Sequence, residues 1–411
     1  MRVTASAPLA LGCASLLWLV PGFAAPDEEA LGKARGYPLG SAATVWQEPY
    51  RVGAFTGMER LFPYCSVRPS ASPLVLKKTP SEPDFRYRFG NKTLSVDDYL
   101  RRQRATGLLV LKDGAIVLER YQYDRTAEQH FISHAMAETI VSMAVGIALA
   151  EGKIAALDDT AAKYVPTLAG SAYGETRLEH LLRMSSGVKF VENYDGADDL
   201  ARWSEAVRTH GALRAAQLFN RREAEPGRRF HYASSETVVL ALVLRAATGR
   251  TLCDWVSEKI WQPMGAESQA TWLTARDGVE LAEGYFNATL RDYARLGWLL
   301  ANDGNIGARQ IIPKDYVLRA TRAAYQPAAF RPGRMSHKDG NYFGYGYQTW
   351  IFPGPKPRFA LLGAYGQALF VDPELKLVMV HTAVARRAVD REMTRERDAL
   401  WRGIVSRFGS W

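Results

Sequence analysis

Ser186 and Lys189 stand three residues apart, close enough to share one face of a helix. An ammonium placed there would lower the cost of deprotonating the hydroxyl. Gly187 lies between them and no apolar helix follows, so the pair reads as a turn rather than a nucleophile and its activator. Glu138 is the more demanding residue, because it interrupts the apolar run Met136 to Ala150. A helix apolar nearly all round is buried, and an unpaired buried carboxylate is costly. Glu138 must therefore be neutral with a raised pKa, paired with Arg or Lys, or wetted by a cleft. In the first case it is a candidate general base acting on water. Tyr232, between Pro226-Gly227 and Ser234, offers a phenol that could relay a proton or donate to a ligand, or a core tyrosine with a satisfied hydroxyl.

Metal chemistry finds little support. His130 and His134 lie four apart, but no Glu or third ligand stands at a zinc-site spacing, so neither a metal nor another cofactor is expected. Cys65 and Cys253 permit one disulfide in an oxidising compartment, yet spacing cannot bring them together, and two separate thiols are the default.

These residues need elements to hold them. Gly107 to Tyr121 reads as a β-hairpin turning at Lys112-Asp113-Gly114. Helical patterns follow over 136–150, 178–184, 236–248, 252–260 and 290–302. Strand character returns with Tyr345–Phe352, then with Ala368–Val371 and Leu377–Thr382 around a second turn. Met393, Leu400, Trp401, Ile404 and Val405 then recur at helical spacing. Strands at both ends with helices between predict an α+β fold, its antiparallel sheet built from both chain ends with flanking helices and an inserted helical domain. The expected division is a signal peptide over 1–25, an N-terminal extension over 26–95, a main domain over 96–385 with its helical part at about 130–300, and a C-terminal helix in 386–411 packing on the sheet.

Seven blocks in order resemble the class C β-lactamase, penicillin-binding protein and 6-aminohexanoate-dimer hydrolase group of serine hydrolases. They are Phe131–Thr139 with the helix after it, His180–Gly187, Pro226–Ser234, Trp261–Gly265, Arg291–Gly297 and Gly363–Gln367, joined by Asp158-Asp159 with Tyr164-Val-Pro166. The resemblance implies a helix opened by a serine, a lysine three residues later and a tyrosine relaying the proton. It places Ala135 at the serine and Glu138 at the lysine, with Tyr232 retained. It further implies substrate-binding roles for Ser234, Ala364, Tyr365, Gly366 and Gln367. Alanine has no nucleophilic atom and glutamate has the wrong charge. A chain so altered is expected to be inactive or strongly impaired, since losing one member of such a unit costs about 10⁴ to 10⁶ in rate. The alternatives are a working amidase, esterase or D-peptidase whose native site is Ser-x-x-Lys plus Tyr232, and non-covalent hydrolysis by Glu138 and water. The implied partner is a small-molecule or peptide ligand with an amide, ester or lactam carbonyl.

Arg2, the apolar run Ala7 to Val20 and Gly22-Phe23-Ala24 read as a signal peptide, placing the mature chain in the periplasm or outside the cell. No other segment is apolar enough to cross a membrane. The net charge is +9, but arginine and lysine are scattered rather than blocked, which argues against nucleic-acid binding.

Overall fold

The computed structural model describes residues 24–335 and 342–411. The signal-peptide reading falls almost entirely outside them. Helix α1 (Val96–Arg102) leads into strands β1 (Ala105–Lys112) and β2 (Ala115–Tyr121). Helices α2 (Met136–Ala150), α3 (Ser234–Thr248) and α4 (Leu290–Ala301) follow. Strands β3 (Gly344–Tyr345), β4 (Trp350–Ile351), β5 (Phe359–Leu362), β6 (Ala368–Asp372) and β7 (Leu377–Ala383) precede helix α5 (Arg391–Phe408).

The seven strands form one antiparallel sheet in the order β3-β4-β5-β6-β7-β1-β2. The fold is therefore α+β, as the strand signals at both ends predict. Asp113 and Gly114 both take positive φ, which lets β1 and β2 join through a tight turn. Alternation along the strands then sorts the core into two layers. Leu109, Leu111, Val378 and Val380 face α2 and the helical region. Leu108, Val110, Leu377 and Met379 face α5, whose Leu400, Trp401, Ile404 and Val405 close the other side. Helix α2 is buried almost all round and packs against α3 and the sheet. Among the described residues no helix is long and apolar enough to cross a membrane.

Two readings need correction. Tyr345–Phe352 is not one alternating strand. It breaks between β3 and β4, where Gln348 takes a φ of 54° and its N–H donates to Leu182 O at 2.8 Å. The Gln348 side chain accepts from Thr237 Oγ1 at 2.7 Å and donates to Leu181 O at 3.1 Å, so it ties the sheet edge to the helical region. The strand is interrupted because these long-range bonds outweigh its local preference.

The cysteines are not separate thiols. Cys65 and Cys253 form a disulfide with a Cα–Cα distance of 6.2 Å. It ties the strand Tyr64–Val67, paired with Ala270–Leu273, to the helix Leu252–Val256 across a sequence separation of 188. A crosslink closing so long a loop restricts the unfolded chain strongly, by about 2–5 kcal/mol in practice. The Cys65→Ser, Cys253→Ser variant should accordingly melt about 3–6 °C lower by calorimetry, and an unchanged melting temperature would contradict this role.

Candidate ligand-binding cleft

The sequence places Ala135 at the head of α2 without any side-chain cap, a position where alanine is among the poorer choices. The preceding turn is tight, with His134 at a φ of 43°. The end of β5 abuts this turn. A Cβ added at Gly363 would lie 2.5 Å from Ser133 O and 3.0 Å from His134 Cβ, so only glycine permits the approach. That contact brings Ala364 and Gly366 beside Ala135 on the wall of a cavity of about 1630 Å³.

Tyr232 and Glu192 line the same cavity, together with the aromatic rings of Phe230, Phe343 and Trp350. Tyr232 stacks on Trp350 with ring centroids 6.0 Å apart, and Phe230 meets Trp350 edge-on at 5.6 Å. The Tyr232 hydroxyl donates to Glu138 Oε2 at 2.8 Å. Glu138 is only 2% exposed, and its Oε1 has no hydrogen-bond partner among the described residues. No described Arg, Lys or His pairs with it. Burial, and then the charge of nearby Glu192, push its carboxyl well above the ordinary range, which favours the protonated form. Of the three fates open to this residue, the raised pKa is the one the fold favours.

Glu192 was not apparent as a site residue from sequence. It accepts from Ser234 N at 3.0 Å and from Ser234 Oγ at 2.8 Å, and Tyr194 Oη donates to it at 2.9 Å. The signal that could have found it is the short spacing of Glu192 and Tyr194 just after His180–Gly187. Ser234 itself is buried and turned to Glu192 rather than to the open cavity.

The remaining residues singled out above are not gathered at the cavity wall. The Gln367 side chain is buried and spends both ends on the backbone of Ala383. Tyr365 takes a φ of 58° and joins a cluster with Trp46, Phe55 and His134. That cluster buries His134 and, mainly by desolvation, lowers its pKa to about 3, so its imidazole is neutral.

The other serines are held in internal bonds. Ser133 Oγ donates to His134 O at 2.8 Å. Ser142 shares a bond with Tyr316 at 3.2 Å. Ser186 Oγ donates to the buried Glu236 at 2.6 Å. Gly187 beside it takes a φ of 75°, so Ser186 and Lys189 sit in a turn, not on a helix. The described arrangement therefore offers shape, aromatic surface and one hydrogen-bonded carboxyl–phenol pair, with no serine–lysine pair.

Comparison with known proteins agrees with this architecture. The family model described as Beta-lactamase matches residues 96–400. The chain is similar to the 6-aminohexanoate-dimer hydrolase of Paenarthrobacter ureafaciens, 25% identical over 354 residues, spanning 82% of this chain and 86% of that one. Among solved structures, a candidate 6-aminohexanoate-dimer hydrolase from Bacillus anthracis superposes with a TM-score of 0.76 at 24% identity, covering 86% of this chain and 94% of that one. A family VIII carboxylesterase superposes with a TM-score of 0.55 at 18% identity, covering 74% and 93% respectively.

Proposed function

The chain belongs to the beta-lactamase family, and from that premise we propose that it is an exported member whose cleft binds a carbonyl ligand without covalent turnover. The ligand is a small molecule or peptide carrying an amide, ester or lactam carbonyl. One observation carries the reading: Ala135 at the head of α2 lines the cavity, while Glu138, one turn on, is a buried carboxyl bonded to Tyr232 and paired with no described cation. Among the described residues no serine–lysine pair stands there. Export rests on the positive start, apolar run and small residues of the first 25 positions, and the Cys65–Cys253 disulfide suits an oxidising compartment.

A second reading draws on the lack of an ion pair at Glu138. Deprotonated, it could act as a general base on water in the space beside Ala135, hydrolysing the ligand without an acyl-enzyme.

Calorimetric titration with the linear dimer of 6-aminohexanoate, a linear amide chosen from the relative above, tests the first reading. Intact-mass measurement after exposure to a fluorophosphonate and to a penicillin completes the test. Saturable binding with no mass increase and no dimer consumed is the expected outcome. A stable adduct would overturn the proposal, and slow dimer loss without an adduct would favour the second reading.

A further inference from the structure

The Cys65–Cys253 bond has a carboxylate pressed against it. Glu280 is 1% exposed, and its Oε1 stands 3.6 Å from Cys65 Sγ while accepting from the Cys253 N–H at 3.0 Å. A disulfide sulfur has no proton to give, so in the oxidised chain the sulfur contact is not a hydrogen bond. Arg245 holds the other carboxylate oxygen, Oε2, at 2.8 Å. Three segments distant in sequence deliver these groups: the strand Tyr64–Val67, the helix Leu252–Val256 and the bridge that pairs Glu280 with Thr274. One ligand atom from each of Cys65, Cys253 and Glu280 falls within 4.8 Å of the other two. None of the three lines the cleft beside Ala135.

Two cysteine sulfurs and a carboxylate oxygen are donors for a borderline-soft divalent ion such as zinc, not for magnesium or calcium. In a tetrahedral site with metal–sulfur bonds of about 2.3 Å and a metal–oxygen bond of about 2.1 Å, sulfur and oxygen ligands stand about 3.6 Å apart. Cys65 and Glu280 already keep that separation. The two sulfurs need only part to about 3.8 Å. Charge balances as well. Two thiolates and Glu280 carry three negative charges, and a dication with Arg245 returns three positive, so the buried cluster is neutral. Arg245 stands where an outer-shell partner fixes the orientation of a ligating carboxylate.

We propose that the Cys65–Cys253 disulfide is one state of an exchangeable crosslink whose other state is a zinc-type site formed by Cys65, Cys253 and Glu280, with water as the fourth ligand. A dithiol reductant breaks the S–S bond, supplies two electrons and two protons to the sulfurs, and leaves as its own disulfide. The dication then displaces both thiol protons and bonds to the two sulfurs and to Glu280 Oε1. The strand and the helix stay tied in either state, by the covalent bond where the surroundings oxidise and by the metal where they reduce. This role is independent of what the cleft binds.

The test reduces the full chain with a phosphine, which takes oxygen from water as it leaves two thiols, removes the phosphine without air, and adds Co²⁺ or Zn²⁺. The reduced chain should bind one Co²⁺ with the intense thiolate-to-cobalt charge-transfer band, and zinc should raise its melting temperature by several degrees. The oxidised chain should show neither effect. Reduced Glu280→Gln should bind cobalt at least about tenfold more weakly while keeping the thiolate band. A reduced parent chain without that band, or with a melting temperature that zinc leaves unchanged, would overturn the proposal. Glu280→Gln binding as tightly as the parent would do the same, because two thiols alone would then account for the metal. Equal binding by the oxidised chain would place the ion elsewhere and overturn it as well.

Discussion

The Ala135→Ser, Glu138→Lys variant should hydrolyse p-nitrophenyl acetate and nitrocefin about 10³-fold or more faster than the parent chain. Position 135 is the N-cap of α2 and lies on the cavity wall, so a serine there would present its hydroxyl to a bound carbonyl. Position 138 is one turn on, and its side chain already reaches the Tyr232 hydroxyl at 2.8 Å. A lysine placed there would meet the same phenol, and nearby Glu192 would offset the cost of burying its charge. The two changes act as a unit. Ala135→Ser alone leaves the phenol donating to the Glu138 carboxyl with no ammonium beside the serine, and Glu138→Lys alone leaves no nucleophile, so each single variant should stay near the parent rate. A double variant no faster than the parent would show that this cleft is not a switched-off hydrolase site.

The second large effect concerns pH. Glu236 is 1% exposed, takes the Ser186 hydroxyl on Oε1, and has no partner for Oε2 among the described residues. Burial raises its pKa to about 8, and Glu138 is raised by the same cause. A folded acid with a raised pKa keeps a proton that the unfolded chain has already released. Stability from these groups is therefore whole below about pH 4.5, declines as pH rises, and for Glu236 levels off near pH 8. Glu236→Gln keeps an acceptor for Ser186 and cannot ionise. Its melting temperature should approach the parent's at pH 5 and exceed it by several degrees at pH 8, a gain on the order of a few kcal/mol. Parallel melting curves for the two proteins across that range would mean that folding does not raise the Glu236 pKa.

Much of the architecture was legible because the sequence writes it in periods. The apolar run Met136–Ala150 is the helix α2 to the residue. The two turn signals, Asp113-Gly114 and Asp372 to Leu375, mark the hairpins β1–β2 and β6–β7. What was not legible depends on contacts between distant segments. Gln348 breaks its strand because Leu181, Leu182 and Thr237 bind it. Cys65 finds Cys253 only because Tyr64–Val67 pairs with Ala270–Leu273. Glu192 enters the site through a bond to Ser234 that no period announces. The problem posed by Glu138 could be read from its neighbours, but its resolution could not. That needed Tyr232 delivered to within a hydrogen bond and every described cation placed elsewhere.

The sheet order also governs when the molecule can exist. Strand β1 pairs with β7, which is synthesised long after it, matching Leu109 to Val380 and Leu111 to Val378. A nascent chain that has not reached Leu377 therefore carries β1 with a bare, apolar edge, the kind of surface that recruits other chains. Contacts so remote in sequence form slowly. A chaperone or a translocation pore that keeps the polypeptide extended until β7 emerges would suppress that hazard. Because β5 and the loop at Gly363 dock on the head of α2 within this sheet, the pocket wall beside Ala135 waits for the same late pairing.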